Sequence, residues 1–331
     1  MKKLFIKLAK LLNYEIIDQN NFISPTLNKD LNKELSIFNN KSIVLPLGEV
    51  KITKKIKSLL IIFRTNTDIE IWDQNKKRLF EFPKIEYSIR SLNSLIKSIK
   101  SLKKKIPEIN VKTIIVDDNS TIENLDKLRK ISNTLENVSF LSLNHEKYKS
   151  VIKKQKTSQT FSNLASLLQC FELGKDKGDD LVLFVEDDYI HFESMLEEMI
   201  FSYQRFSSQT NRDLFMCPSD YPYLYMDNNK TNIVIGNKRH WRTIDKTLCT
   251  FLTSKSLIDK YWENFKKTCQ DRHDPFEKYL NEIYLKELCF SPIKSLSLHL
   301  TNINSSYGLS PFIDYKNLWN ENKFIFESSQ N

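Results

Sequence analysis

Leu59-Leu60-Ile61-Ile62-Phe63, Thr113-Ile114-Ile115-Val116 and Leu181-Val182-Leu183-Phe184-Val185 are uninterrupted apolar runs of strand length. They lack the alternation of a half-solvated strand and predict strands buried on both faces, as in the middle of a parallel sheet. Helical periodicity separates them. Ile89, Leu92, Leu95, Ile96, Ile99 and Leu102 recur at helical spacing within Ile85 to Lys105. A second helix is expected from about Thr121 to Ile131 with Ser120 as its N-cap, and a third from Ser162 to Leu173, ended by Gly174. Val138 to Leu143 adds a strand between those two helices. Strands alternating with helices at this spacing predict an α/β fold with a mostly parallel sheet and right-handed crossovers.

Outside this alternation the pattern changes. In residues 1–12, Leu4, Leu8, Leu11 and Leu12 share one helical face, with Lys3, Lys7 and Lys10 largely on the other. The segment is too short to span a bilayer, which takes roughly 20 apolar residues, and no small-residue cleavage site follows it. It predicts a helix that either lies on an anionic inner membrane surface or packs on the protein's own body. Residues 13–55 are polar and rich in Asn and Lys, with Ser42 to Leu47 the stretch that looks ordered. Residues 1–55 therefore read as an extension and 56–331 as the main domain. Downstream, Asp213 to Cys217 predicts a further strand, Thr250 to Thr253 with Ser254 capping a helix through Phe265 looks architectural, and Leu296 to Thr301 alternates in strand fashion.

The polar residues that stop the apolar runs carry the chemical signal. Leu181–Val185 gives way to Glu186-Asp187-Asp188, and Val116 to Asp117-Asp118-Asn119-Ser120. Ligands of open α/β sheets bind at the C-terminal strand ends, so these acids, with Arg64 and Thr65 at the end of the first run, are expected in one cleft. A solvated acidic turn is the alternative for one such run. Two strands that both end in paired Asp residues are harder to attribute to solubility.

Composition narrows the classes. The chain has 331 residues with five Gly, and neither a Rossmann G-x-G-x-x-G nor a P-loop pattern occurs. Phosphate binding must use something other than a glycine cradle. The five cysteines are odd in number, never spaced C-x-x-C and mostly set in apolar segments, which reads as reduced core residues of a cytosolic protein. A net charge of +9 suits anionic partners such as lipid headgroups or nucleotide diphosphates. The aromatic and basic signature of a nucleic-acid module is missing, so no nucleic acid is expected.

Taken in order, Ser91-Leu92-Asn93-Ser94-Leu95, Val116-Asp117-Asp118-Asn119-Ser120, Asn163 with Ala165, and Val185-Glu186-Asp187-Asp188 resemble glycosyltransferases of the GT-A fold, especially family 2. The resemblance covers roughly residues 57 to 195. It implies a GT-A type α/β fold with a Rossmann-like sheet, in which 56–195 bind a nucleotide-sugar and 196–331 the acceptor. It further implies that Asp118, with Asp117 beside it, binds the nucleotide, and that Asp188, helped by Glu186, holds Mn²⁺ or Mg²⁺ on the diphosphate. Arg64, Thr65, Asn163 and Asp187 join the donor site. A C-terminal His that completes the metal shell in many GT-A enzymes would here be His299, although a lone His on a strand is also commonly a satisfied core residue. The chain departs from the family where its first strand ends Arg64-Thr65-Asn66, where Asn119 replaces the common Gly, and where Glu186 stands for a frequent Asp.

For the acceptor, the Tyr-dense loop after Pro218, with Asp220 and Tyr221, and the basic aromatic cluster with Trp241 and Arg242 are candidates. Packed loops and a core Trp are their structural alternatives. An inverting transferase needs a base, and Asp274 is the leading candidate with Asp271 in reserve, Asp274 being equally suited to cap a helix from Pro275. The tail from Tyr307 is a candidate lid. The sequence thus predicts a metal-dependent glycosyltransferase in surface polysaccharide or glycolipid synthesis, cytoplasmic or peripheral on the inner membrane face. A nucleotidyl- or phosphotransferase, or a non-catalytic sugar-binding domain, remain the alternatives.

Overall fold

The computed structural model describes residues 2–14, 16, 36–39, 41–44, 48–69, 78–226, 231–301 and 303–326. Much of the extension expected over 13–55, including Leu45 to Leu47, lies outside the described residues. Helix α1 (Lys2–Leu11) and an antiparallel pair, β1 (Lys41–Val44) and β2 (Gly48–Lys51), come first. The strand–helix alternation then runs β3 (Ser58–Thr65), α2 (Lys84–Lys105), β4 (Asn110–Asp117), α3 (Ile122–Ser132), β5 (Val138–Ser142), α4 (His145–Tyr148), α5 (Ser158–Lys177) and β6 (Leu181–Glu186). The second half comprises β7 (Tyr189–His191), α6 (Met195–Thr210), β8 (Phe215–Met216), β9 (Ile233–Ile235), β10 (His240–Thr243) and β11 (Phe251–Ser254). It continues with α7 (Lys255–Lys260), α8 (Trp262–Gln270), α9 (Lys278–Tyr284), β12 (Cys289–Ile293), β13 (Ser297–His299) and α10 (Tyr315–Glu321).

One sheet passes through both halves in the order β5-β4-β3-β6-β11-β8-β12-β10-β9. Its first four strands are parallel, as the apolar runs predict. β11 is antiparallel to β6 and to β8, β8 and β12 are parallel, and β10 and β9 run antiparallel at the far edge. Strand alternation divides the apolar runs between two cores. Leu59, Ile61, Phe63, Leu181, Leu183 and Val185 pack with Leu92 and Leu95 of α2 and Met199 of α6. Leu60, Ile62, Val182 and Phe184 point the other way, onto Leu164, Leu168 and Phe171 of α5 and Phe265 of α8. Burial on both faces is why these strands show no polar alternation.

Three helix boundaries differ from expectation. Thr121, not Ser120, is the N-cap of α3; the Ser120 hydroxyl instead accepts from the Thr67 amide at 2.9 Å. Gly174 lies inside α5, which continues to Lys177. A Cβ added there would come 2.7 Å from Cζ of Phe184 on β6, so the glycine permits a close helix–sheet approach. Ser254 caps α7, its hydroxyl accepting from the Leu257 amide at 3.2 Å, but the helix breaks at Tyr261 before α8.

β7 and β13 form a third sheet, of two strands, that carries Leu298 and Leu300 into a cluster with Tyr87 of α2 and Leu318 and Trp319 of α10. The Arg90 guanidinium lies 4.3 Å over the Trp319 ring, and Asn93 Nδ2 donates to the Asn322 carbonyl at 3.1 Å. The described part of the tail therefore clamps α2, and none of its residues lines the cleft as a lid would.

Candidate active site

Strand register sets the site. Thr65 pairs with Asp117, and Arg64 with Glu186, so β3, β4 and β6 end level with one another. The residues just past these ends open into a cleft of about 940 Å³. It is lined by Arg64, Thr65, Asp118, Asn163, Glu186, Asp187, Asp188, Asp271, Asp274 and His299 among the residues expected from sequence, and not by Asp117, Asp220, Tyr221, Trp241 or Arg242.

The paired acids after β4 do different work. Asp117 turns inward, accepting from the Ser120 amide at 3.1 Å, and burial pushes its carboxyl above the usual range. Asp118 faces the cleft. Its Oδ1 lies 2.9 Å from His145 Nε2 at the start of α4, and its Oδ2 accepts from Asn66 Nδ2 at 3.4 Å. The turn that follows them places Asn119 at φ 61°. That left-handed conformation suits Gly best and Asn next, so Asn119 can hold the turn.

The three acids at the end of β6 are likewise distinct. Glu186 binds the Arg64 guanidinium, which also donates to Asn163 Oδ1 at 2.6 Å and Ser166 Oγ at 3.1 Å. The ion pair engages one oxygen of the Glu186 carboxylate, and the residue lines the cleft. Asp187 is a tether: its carboxylate accepts from Ser88 Oγ at 2.6 Å, Thr65 Oγ1 at 2.7 Å and the Asn66 amide at 3.3 Å, and pairs with Lys84 in the first turn of α2. Those partners hold it in place at the edge of the cleft, which it also lines.

Asp188 is different. Oδ2 accepts from Thr301 Oγ1 at 2.7 Å and lies 3.2 Å from His299 Nε2, while Oδ1 is buried with no partner. Burial works against its charge, yet His299, Lys84 and Thr301 together hold the carboxyl well below the usual range. The β7–β13 pairing sets Tyr189 opposite His299, and the two rings stack at 4.7 Å. His299 Nδ1 sits 3.2 Å from the Tyr307 carbonyl, which only accepts, so Nδ1 carries a proton and Nε2 is aimed at the carboxylate. Burial disfavours the imidazolium, but the Asp188 charge outweighs it and raises His299 above its ordinary value.

A buried carboxylate oxygen without a partner, with an imidazole beside the same carboxylate, is the donor chemistry that a divalent cation takes. Among the described residues no group of three or more His, Cys, Asp or Glu side chains has metal-holding geometry. Asp188 and His299 would hold the ion from one side only, as suits Mg²⁺ or Mn²⁺ shared with phosphate oxygens and water.

Asp271 and Asp274, in the segment after α8, also line the cleft. Asp271 accepts from Gln155 Nε2 at 3.1 Å and pairs with Lys153 at 3.2 Å, and these bonds lower its pKa. Asp274 is exposed and has no hydrogen bond or ion pair among the described residues. It does not cap a helix, because α9 starts only at Lys278.

The residues expected at the acceptor lie outside the cleft lining, each bonded to a neighbour. Asp220 pairs with Arg242 at 3.2 Å, with Tyr225 bonded to the same carboxylate and its ring 4.4 Å from the guanidinium. Buried Trp241 donates from Nε1 to Glu198 at 3.1 Å. Tyr221 bonds Tyr189 at 2.6 Å and so stands one layer behind His299. Sequence reasoning missed Lys84, Ser88, His145 and Thr301. Thr301 shares an alternating stretch with His299, and His145 follows a strand end, so both had a positional signal. Lys84 is one of many lysines and had none.

No protein-family model matches the chain, and no curated protein matches it. Similar solved structures include the galactosyltransferase LgtC in complex with donor and acceptor sugar analogues, at 12% identity and a TM-score of 0.34, covering 68% of this chain and 70% of that one. UDP-glucose pyrophosphorylase complexed with UDP-glucose is similar at 9% identity and a TM-score of 0.36, covering 72% and 90%. Glucosyl-3-phosphoglycerate synthase from Mycobacterium tuberculosis in complex with Mn²⁺, UDP and phosphoglyceric acid is similar at 10% identity and a TM-score of 0.29, covering 61% and 57%.

Proposed function

We propose that the chain is a metal-dependent glycosyltransferase that moves a sugar from a nucleotide-sugar donor to a glycan or lipid-linked acceptor in surface polysaccharide or glycolipid synthesis. The observation that carries this reading is the pair Asp188–His299, with one buried carboxylate oxygen unpartnered, in the same cleft as Asp118. Asp118 is suited to accept hydrogen bonds from ribose hydroxyls or a base N–H. Asp188 and His299 are the metal ligands, and a cation held there would neutralise charge developing on the leaving diphosphate. Arg64 and Lys84 fix Glu186 and Asp187, which keeps Asp188 in place. Asp274, exposed in the same cleft and without a hydrogen-bond partner among the described residues, takes the proton of the acceptor hydroxyl.

The test is a thermal-shift series with UDP-, GDP-, CMP- and dTDP-sugars in Mn²⁺ or EDTA, on the wild type and Asp188→Asn. One nucleotide class should stabilise the protein by about 2.7 kcal/mol at a hundred times its Kd, and only with metal and Asp188 present. An equal shift in EDTA and in the variant, or none with any donor, ends the reading. Turnover that releases pyrophosphate instead of a nucleoside diphosphate would make the chain a nucleotidyltransferase.

A further inference from the structure

We propose that α1 is a docking element for an anionic phospholipid surface. At 100° per residue Leu4, Phe5, Leu8, Leu11 and Leu12 fall within an arc of about 120°, with Lys7 and Lys10 outside it. Packing on the body would bury this face, yet Leu4 is 64%, Phe5 66%, Leu8 52%, Leu11 81% and Leu12 68% exposed. Tyr14, just past the helix, is also exposed and has the amphipathic ring favoured at a membrane–water boundary.

The helix is bounded by its own residues. Asn13 adopts φ 61°, its amide donates to the Lys10 carbonyl at 3.2 Å, and the Tyr14 amide donates to the Ala9 carbonyl at 2.8 Å, a Schellman end. Ten residues are nevertheless too few for a helix to be stable alone in water. A covering surface must supply the rest. No helix among the described residues is long and apolar enough to cross a membrane, so α1 would lie in the interface plane.

Charge selects the occupant. The first 14 residues contain Lys2, Lys3, Lys7 and Lys10 and no Asp or Glu. A second copy of α1 would answer the apolar stripe but set lysines against lysines. Anionic headgroups answer both the stripe and the charge.

Co-sedimentation of the full chain with phosphatidylcholine vesicles, with and without phosphatidylglycerol, tests this. Binding is expected only with phosphatidylglycerol and should weaken with salt. At about fivefold per lysine, Lys7→Gln/Lys10→Gln should lower partitioning roughly 30-fold, and Leu8→Asp/Leu11→Asp should abolish it. Because these side chains are exposed, both variants should keep the wild-type Tm. Equal binding to neutral vesicles, no binding by the wild type, or undiminished binding by Leu8→Asp/Leu11→Asp overturns the proposal. So does a dimer that the leucine variant splits without any vesicle binding, which would assign the face to a second copy.

Discussion

Asp271 and Asp274 lie three positions apart and differ in their neighbours, and that difference sorts them chemically. Gln155 and Lys153 stabilise the Asp271 anion and make it the weaker base, whereas nothing among the described residues competes for Asp274. Asp274→Asn should lower kcat by roughly 10²–10⁴-fold with the donor-induced thermal shift intact. Asp271→Asn should cost less than about tenfold, since it removes no proton acceptor from the chemistry. Single-turnover rates of the two variants check this, and a larger loss for Asp271→Asn would exchange their roles. At this scale the sequence was legible where a residue's place at a strand end decided that it reaches the cleft, as at Asp118 and Asp188. It was opaque at Trp241 and Arg242, because a basic aromatic cluster has the same composition whether it grips a ligand or, as here, closes on Glu198 and Asp220.

At the scale of elements, Gly174 shows how one contact outweighs a local preference. Gly→Ala in a helix interior is ordinarily worth about 1 kcal/mol of added stability. Here the new methyl would meet the Phe184 ring at 2.7 Å, and that ring is held edge-on by Phe171 at 5.0 Å and so has little room to swing. Overpacking of this kind costs about 1–3 kcal/mol, so Gly174→Ala should lower the denaturation midpoint; an unchanged or raised midpoint would show that α5 can lift off β6. The same residue explains a misplaced boundary. A glycine after an apolar helical stretch reads as a stop, and only the partner strand reveals that it is a point of close approach. The parallel strands were legible for the opposite reason, since burial on both faces writes itself directly into an uninterrupted run such as Leu59 to Phe63.

For the molecule as a whole, Glu287 ties three elements at the base of β12. Lys260 Nζ at 2.6 Å, Tyr261 Oη at 2.7 Å and Arg212 NH2 at 2.9 Å all donate to its carboxylate. Burial pushes its pKa up, but these donors outweigh burial and the net shift is downward from 4.5. A depressed carboxyl adds stability that is present above the unfolded value and lost as pH falls through the folded one. Glu287→Gln should therefore lower stability at neutral pH by about 1 kcal/mol, small because Arg212 and Lys260 are half exposed. It should also flatten the decline of Tm below about pH 4.5. Matching Tm–pH curves for variant and wild type would refute the tie.

The path of the chain has a consequence for synthesis. The parallel strands and Asp188 are all complete by residue 188, but His299 and Thr301, which flank Asp188, and the α10 clamp on α2, whose first turn holds Asp187, come more than a hundred residues later. A growing polypeptide emerging from the ribosome can pair its sheet long before its acids acquire their last neighbours. Nascent chains stalled before Ser297 should resist protease across β3, β4 and β6 yet show no metal-dependent nucleotide-sugar binding. Catalytic competence would then arrive late, as a property of translation rather than of the early-folding sheet.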